Sequence, residues 1–313
     1  MTGKEKYRIC CKNELSIPIY SRDWWLDCVC GDSSWDVLLY LKNEEIEAAM
    51  PYYSPLKKII TMPSFTQTMG IWFNPAFEDR DYSGNLYRKQ AICEDLIMRL
   101  PAHDYFHQNF HYSFTDWLPF YWNDYRQTTR YTYVLPKIGN PGDLWNNLSE
   151  NVSRNIQKAK NKNQLIIKRN VPTDSFMEIN AQTYQRQGMK PYHPEMLKRL
   201  INLSRSQNQG DIWGAFDEQN RLHAAVFIVW QENCAYYIAG GSDTKLRKSG
   251  GLAMTMWTVI NDLSGQVGAF DFGGSMVKGI ERFFREFGTL QKSYFVIEKG
   301  KMGLFKKIRM KFQ

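Results

Sequence analysis

Residues suited to chemistry concentrate between Tyr236 and Gly288. Three glycine clusters follow apolar, strand-like runs there: Ala239-Gly240-Gly241, Ser249-Gly250-Gly251 and Gly273-Gly274. Glycine at a strand end lets the backbone approach a ligand closely. Two of the clusters introduce helical patterns, and a helix N-terminus offers N–H groups to an anion. Lys245, Arg247 and Lys248 bring positive charge to the second cluster. Two carboxylates are placed to handle a proton. Asp271 closes a strand just before two glycines, where it steers or deprotonates an amine, or else caps the turn with its own side chain. Glu281, in the next helical stretch, is the weaker base candidate, with plain solvent exposure as its alternative. Arg282 and Arg285 suit a phosphate or carboxylate, against ion pairs with Glu281 and Glu286. Arg154 and Lys158 are i, i+4 neighbours that either hold a substrate phosphate or form a solvated face.

Aromatic side chains make up 15% of the chain, enough to supply flat ligand walls as well as core. Phe120, Tyr121 and Trp122 are candidates for one wall of an acceptor cleft between two domains, with core packing as the alternative. The hydroxyls of Tyr236, Tyr237 and Tyr294 are candidate donors to a leaving group, against buried structural roles. Metal chemistry is not expected. His107 and His111 have helical i, i+4 spacing, but the alternation from Tyr105 to Phe114 is that of a strand, which sets them about 13 Å apart. Cys28-x-Cys30 is not a finger spacing, and the six cysteines read as free thiols.

The elements that must position these residues follow from periodicity. In the first half, Ser21 can cap a helix carrying Trp24, Trp25 and Cys28. Strands fall over 35–41 and 46–53, and another lies within 59–73, interrupted by a polar loop from Pro63 to Gly70. A helix over 87–100 and a strand over 131–135 follow. Turn residues from Pro136 to Pro141 make a domain boundary, with residues 1–138 on one side and 139–299 on the other. The second half alternates regularly. A helix runs from Asp143 to about Asn161. From Leu165 the order is β-α-α-β-β-β-α-β-α-β, with helices over 174–188, 194–207, 249–263 and 278–287. The fold class is α/β with mixed sheets. In the tail, 300–313, Ile308, Met310 and Phe312 alternate with basic residues, as in an edge strand packing back on the first domain.

The net charge is +8, with six basic and no acidic residues from Lys299 onward. Such a balance favours anionic partners such as phosphates, nucleic acid or an acidic membrane face. No signal peptide and no run of apolar residues long enough to span a bilayer is present, so a cytoplasmic protein is expected.

The element order, with a glycine-bearing turn before the helix at 249, resembles the GNAT acyltransferase fold. The phosphate-loop pattern there is Gln/Arg-x-x-Gly-x-Gly/Ala; this chain has Lys248-x-x-Gly251-x-Ala253 and departs at the first position. Lys248, Ser249, Gly250, Gly251, Leu252 and Ala253 are thereby implied as the cofactor-binding segment, with Ser249, Gly250 and Gly251 turning N–H groups to a phosphate. Further segments narrow the likeness: Trp117-Leu118-Pro119-Phe120-Tyr121-Trp122, Arg154-Asn155-Ile156-x-Lys158-Ala159, Phe270-Asp271-Phe272-Gly273-Gly274-Ser275 and Phe283 to Gly288. They resemble the FemAB-like branch, the methicillin-resistance-type relatives that include peptidoglycan aminoacyltransferases. That resemblance implies two tandem GNAT-like domains and attack of an amine on an activated acyl carbon. The implied donor is an acyl-CoA or an aminoacyl-tRNA, so tRNA enters as a partner. The implied acceptor is a small amine or a cell-wall precursor. Backbone N–H groups near Ala239 and Gly240, where central strands splay, would face the carbonyl. An acyl-CoA N-acetyltransferase for a small amine or amino sugar is the nearest alternative. A catalytically silent ligand- or protein-binding pair of domains is another.

Overall fold

A computed structural model describes residues 1–78 and 81–303, so the predicted edge strand at Ile308, Met310 and Phe312 lies outside the described residues. Two compact units are present: Met1–Arg130 together with residues 293–303, and Tyr131–Lys292. The division falls a few residues before the expected 138. Val134 and Leu135 pair with Asp271 and Phe270, which draws this strand end into the second unit. The chain also returns to the first unit at 293.

The first unit begins with α1 (Gly3–Asn13) and α2 (Asp23–Cys30), followed by β1 (Trp35–Lys42), β2 (Glu45–Leu56), β3 (Ile59–Thr61) and β4 (Trp72–Phe73). Then come α3 (Tyr82–Arg99), β5 (Tyr105–Asn109) and α4 (Leu118–Trp122). Helix α1 is absent from the reading above, yet its signal is local. Thr2 accepts from the Glu5 N–H while Glu5 accepts from the Thr2 N–H, a reciprocal capping box. Ser21 does not cap α2; it sits buried in a short 3-10 turn, and its carbonyl accepts from the Tyr7 hydroxyl at 2.7 Å. The alternation predicted to Phe114 ends as a strand at Asn109. His107 turns to Glu298 at 2.6 Å and His111 to Ser113 at 2.8 Å. Ile92, Cys93, Leu96 and Ile97 of α3 close over Phe106, Phe110, Phe114 and Phe120 to make the core.

The second unit takes up β6 (Arg126–Leu135) and adds α5 (Pro141–Asn146), α6 (Glu150–Gln157), β7 (Ile166–Arg169), α7 (Thr173–Arg186) and α8 (Pro194–Ser206). It continues with β8 (Gly210–Phe216), β9 (Leu222–Gln231), β10 (Cys234–Ser242), α9 (Gly251–Asp262), β11 (Ala269–Asp271) and α10 (Lys278–Arg285). The last strand, β12 (Leu290–Gly300), carries the chain back, and its Val296–Gly300 segment pairs antiparallel with β5. The single helix expected over 143–161 is two, because Ser149 starts a new helix by accepting from the Val152 N–H. Sheet order within this unit is β6-β11-β10-β9-β8-β7, and only the β10–β11 pairing is parallel.

Helices cover both faces of that sheet. Val226 and Ile228 of β9 join Met256, Val259 and Ile260 of α9 in one core. Phe227, between them, points the other way and meets Phe176 of α7 edge-on at 6.4 Å. The period-2 alternation of β9 thus decides which helix each residue supports.

Candidate active site

The site forms where β10 ends. β10 pairs with β11 only over Cys234–Tyr236, so its remainder to Ser242 runs on without that neighbour. Its register against β9 slips between Tyr237 and Ala239, leaving Ile238 as an extra residue. A bulge re-aims side chains and backbone locally. At Ile238-Ala239-Gly240 the strand thus keeps β9 as a neighbour and has no β11 partner. The carbonyl of Gly240 is held by the Asn180 side-chain amide at 3.3 Å.

Beyond β10, a 3-10 turn (Arg247–Ser249) leads through Gly250 into α9. Gly250 has φ +87°, and a Cβ there would stand 2.2 Å from the Asn155 carbonyl oxygen. Only glycine fits both the left-handed backbone and the contact with α6. Lys158 braces the turn by donating to the Lys248 carbonyl at 2.6 Å, and Asn163 donates to the Ser249 carbonyl at 2.9 Å. Lys158 is thus committed to the loop's shape.

The N–H groups offered to an anion differ from those expected. Ser249 is buried and gives its N–H to the Leu246 carbonyl at 2.9 Å. The Gly251 N–H goes to Ser249 Oγ at 3.2 Å, and a Cβ at Gly251 would face Ala215, His223 and Leu165 in the interior. Leu252 and Ala253 lie in the first turn of α9, where N–H groups have no intrahelical acceptor, and the N-cap residue Gly250 offers them no side chain. Both line an open pocket of about 370 Å³, with Lys248, Gly250, Asn155, Ser242 and Phe283. Arg186 and Arg247 complete the wall, and no carboxylate lines it. Three cations and a helix N-terminus thus face one pocket, a combination that suits an anionic group. Arg186, from the end of α7, is the residue that sequence reading missed. Nothing local in a helix 61 residues before Arg247 announces that the fold brings the two together.

The carboxylates lie elsewhere. Asp271 is buried; its Oδ1 accepts from the Thr132 hydroxyl and from the Gly273 N–H at 2.8 Å. Burial pushes its carboxyl up to about 6 against these hydrogen bonds. It caps the turn after β11 and does not line the pocket. Glu281 accepts from the Tyr133 hydroxyl at 2.9 Å and from Arg285 at 2.8 Å. The Tyr133 hydrogen bond, with Arg285, holds it below the usual carboxylate range, which disarms it as a base. Arg282 pairs with Glu286 at 2.8 Å, so both α10 arginines are engaged within their own helix. Arg154 is exposed, 3.4 Å from Asn151 Oδ1, and does not line the pocket. Phe120 is withdrawn into the first unit's core, edge-on to Phe110 at 5.1 Å and Tyr125 at 5.3 Å; Tyr121 and Trp122 are exposed. Among the described residues no group of three His, Cys, Asp or Glu side chains has the arrangement of a metal site.

Comparisons with known proteins bear on this arrangement of a bulged strand, a cationic turn and a helix start. Residues 147–285, all within the second unit, match the family model of the acetyltransferase (GNAT) domain. Over nearly its whole length the chain has the fold of the FemAB-like branch, as the motifs led us to expect. It superposes on FemX with a TM-score of 0.68 at 10% identity, covering 94% of this chain and 96% of FemX. The C-terminal domain of a putative lysylphosphatidylglycerol synthetase from Agrobacterium fabrum gives 0.55 at 10% identity, covering 99% and 96%. A tandem GNAT protein from the clavulanic acid biosynthesis pathway gives 0.50 at 7% identity, covering 86% and 84%. No curated protein matches the sequence.

Proposed function

We propose that this protein transfers an acyl or aminoacyl group from a phosphate-bearing activated donor to an amine. The observation that carries the reading is the pocket at the start of α9, where Arg186, Arg247 and Lys248 surround the first-turn N–H groups of Leu252 and Ala253. A donor seated there by its phosphates extends its acyl end along the edge of β10 that β11 leaves open, toward the bulge. Of the backbone N–H groups at Ala239 and Gly240, which point to opposite edges of the strand, the one turned away from β9 then serves the oxyanion. Both acyl-CoA and aminoacyl-tRNA carry the required phosphates. The FemAB-like resemblance favours an aminoacyl donor and a cell-wall precursor amine as acceptor. With Asp271 committed to its turn and Glu281 held ionised by Tyr133 and Arg285, the amine's proton is not taken by either predicted base. Catalysis here rests on placing the amine and stabilising charge.

A thermal-shift panel of coenzyme A, alanyl-tRNA and a UDP-linked muropeptide tests the reading, because a ligand stabilises only a protein that binds it. At least one of the first two is expected to raise the melting temperature. Arg247→Glu combined with Arg186→Glu is expected to abolish that rise while leaving the unliganded melting temperature unchanged. A protein indifferent to both donors, or a double variant that responds like the wild type, overturns the reading.

A further inference from the structure

We propose that the first unit holds a separate small-molecule site, a pocket beside α3 that takes a primary ammonium on a compact apolar body, with Asp116 as its counter-charge. The inference is independent of the acyl-transfer reading, because every residue lining this pocket belongs to the first unit. The cavity is about 230 Å³. Sites for drug-sized ligands run to roughly 300–1,000 Å³, so this one suits a small molecule or the end of a longer one.

Its floor is apolar. Cys93, Phe114 and Pro119 are buried there, with Leu86 of α3 and the ring of Phe73 beside them. The Phe73 and Phe114 rings are nearly parallel, with an interplanar angle of 3° and centroids 6.5 Å apart. Phe73 already faces one cation, since Lys89 Nζ lies 5.3 Å from its ring centroid. An ammonium is at home against such a face.

Charge decides what the floor can accept. Glu78, Lys89 and Asp116 are the charged side chains of the lining. Lys89 and Glu78 pair at 2.5 Å and cancel. Asp116 is held by neutral donors alone: Gln90 Nε2 gives to one oxygen at 2.8 Å, and the Leu118 N–H gives to the other at 3.0 Å. These two bonds aim the carboxylate and leave its charge without a cationic partner among the described residues. Each oxygen keeps a lone pair for a further donor. The pocket therefore carries one net negative charge above an apolar floor, the reverse of the cationic pocket at α9. A hard metal ion takes about six oxygen ligands, which one free carboxylate over phenyl rings does not supply. An alkylammonium matches both parts: its N–H donors meet Asp116, and its carbon body meets Leu86, Phe73 and Phe114.

Phenethylamine is titrated into the full-length protein by isothermal calorimetry, with phenethyl alcohol as the uncharged molecule of the same shape. The amine is expected to bind at least tenfold more tightly than the alcohol. Asp116→Asn keeps an acceptor for the Leu118 N–H and a polar partner for Gln90, and it should bring the amine down to the affinity of the alcohol. Leu86→Trp fills the floor and should weaken both ligands at least tenfold. Should Asp116→Asn fail to fold, the wild type carries the same test through salt, because the preference for the amine should shrink as sodium chloride rises from about 20 mM to about 500 mM. Equal binding of amine and alcohol, a preference that survives Asp116→Asn or is indifferent to salt, or unchanged binding in Leu86→Trp overturns the assignment. So does a wild type that shows no amine binding at about 10 mM, a concentration that detects even weak millimolar association.

Discussion

Replacing Gly250 by alanine tests whether the turn into α9 is built as described. Two costs follow from the structure. The backbone sits at φ +87°, where an L-residue costs about 1–2 kcal/mol. The new Cβ would also lie 2.2 Å from the Asn155 oxygen, 3.0 Å from its carbonyl carbon and 3.4 Å from Ala159 Cβ, all on α6 and its continuation. Backbone cannot swing aside as a side-chain tip can, so α6 must shift, an overpacking cost of about 1–3 kcal/mol. The total is about 2–5 kcal/mol. Gly265 provides the control: its φ is +78° and nothing lies within 4 Å of its Cβ position, so Gly265→Ala carries the backbone cost alone. Urea denaturation of the two variants and the wild type separates strain from collision. Gly250→Ala is expected to be the less stable by at least about 1 kcal/mol, and to lose donor-induced stabilisation because Asn155 lines the pocket. Equal destabilisation of the two variants would refute the close packing of this turn against α6.

Two further outcomes follow from burial. Because the folded protein binds the Asp271 proton more tightly than the unfolded chain, the stabilisation is complete below 3.8 and lost as pH rises through about 6. Asp271→Asn keeps an acceptor for Thr132 and Gly273, so urea midpoints should shift in its favour between about pH 4 and about pH 7, and a pH-independent difference would contradict this. Phe120→Ala is expected to cost about 3–5 kcal/mol by emptying the first unit's core, whereas the exposed Trp122→Ala should change stability by less than about 0.5 kcal/mol; denaturation midpoints that do not separate would return Phe120 to a ligand-facing role.

Local physics made much of this protein legible before its structure. Period-2 and period-3.6 patterns located nearly every strand and helix of the second unit, because each such element has one face toward a core. The motif Lys248-x-x-Gly251-x-Ala253 marked the turn into α9, since helix starts of this kind carry glycine for backbone reasons alone. The capping box of Thr2 and Glu5 was equally local, and α1 was readable from it. What the chain could not announce was which groups converge. Arg186 reaches the pocket because α7 and the turn before α9 are brought together by β10, a relation no spacing encodes. Ser249 and Gly251 lie in the motif segment, yet their N–H groups are consumed within the turn, and only those of Leu252 and Ala253 are left without an intrahelical acceptor. The arginines of α10 found carboxylates one helical turn away, and Glu281 found Tyr133, so charge visible in sequence was cancelled by neighbours. Composition and periodicity determine which elements form; hydrogen-bond bookkeeping and close packing, settled only in three dimensions, decide which of their polar groups remain for chemistry.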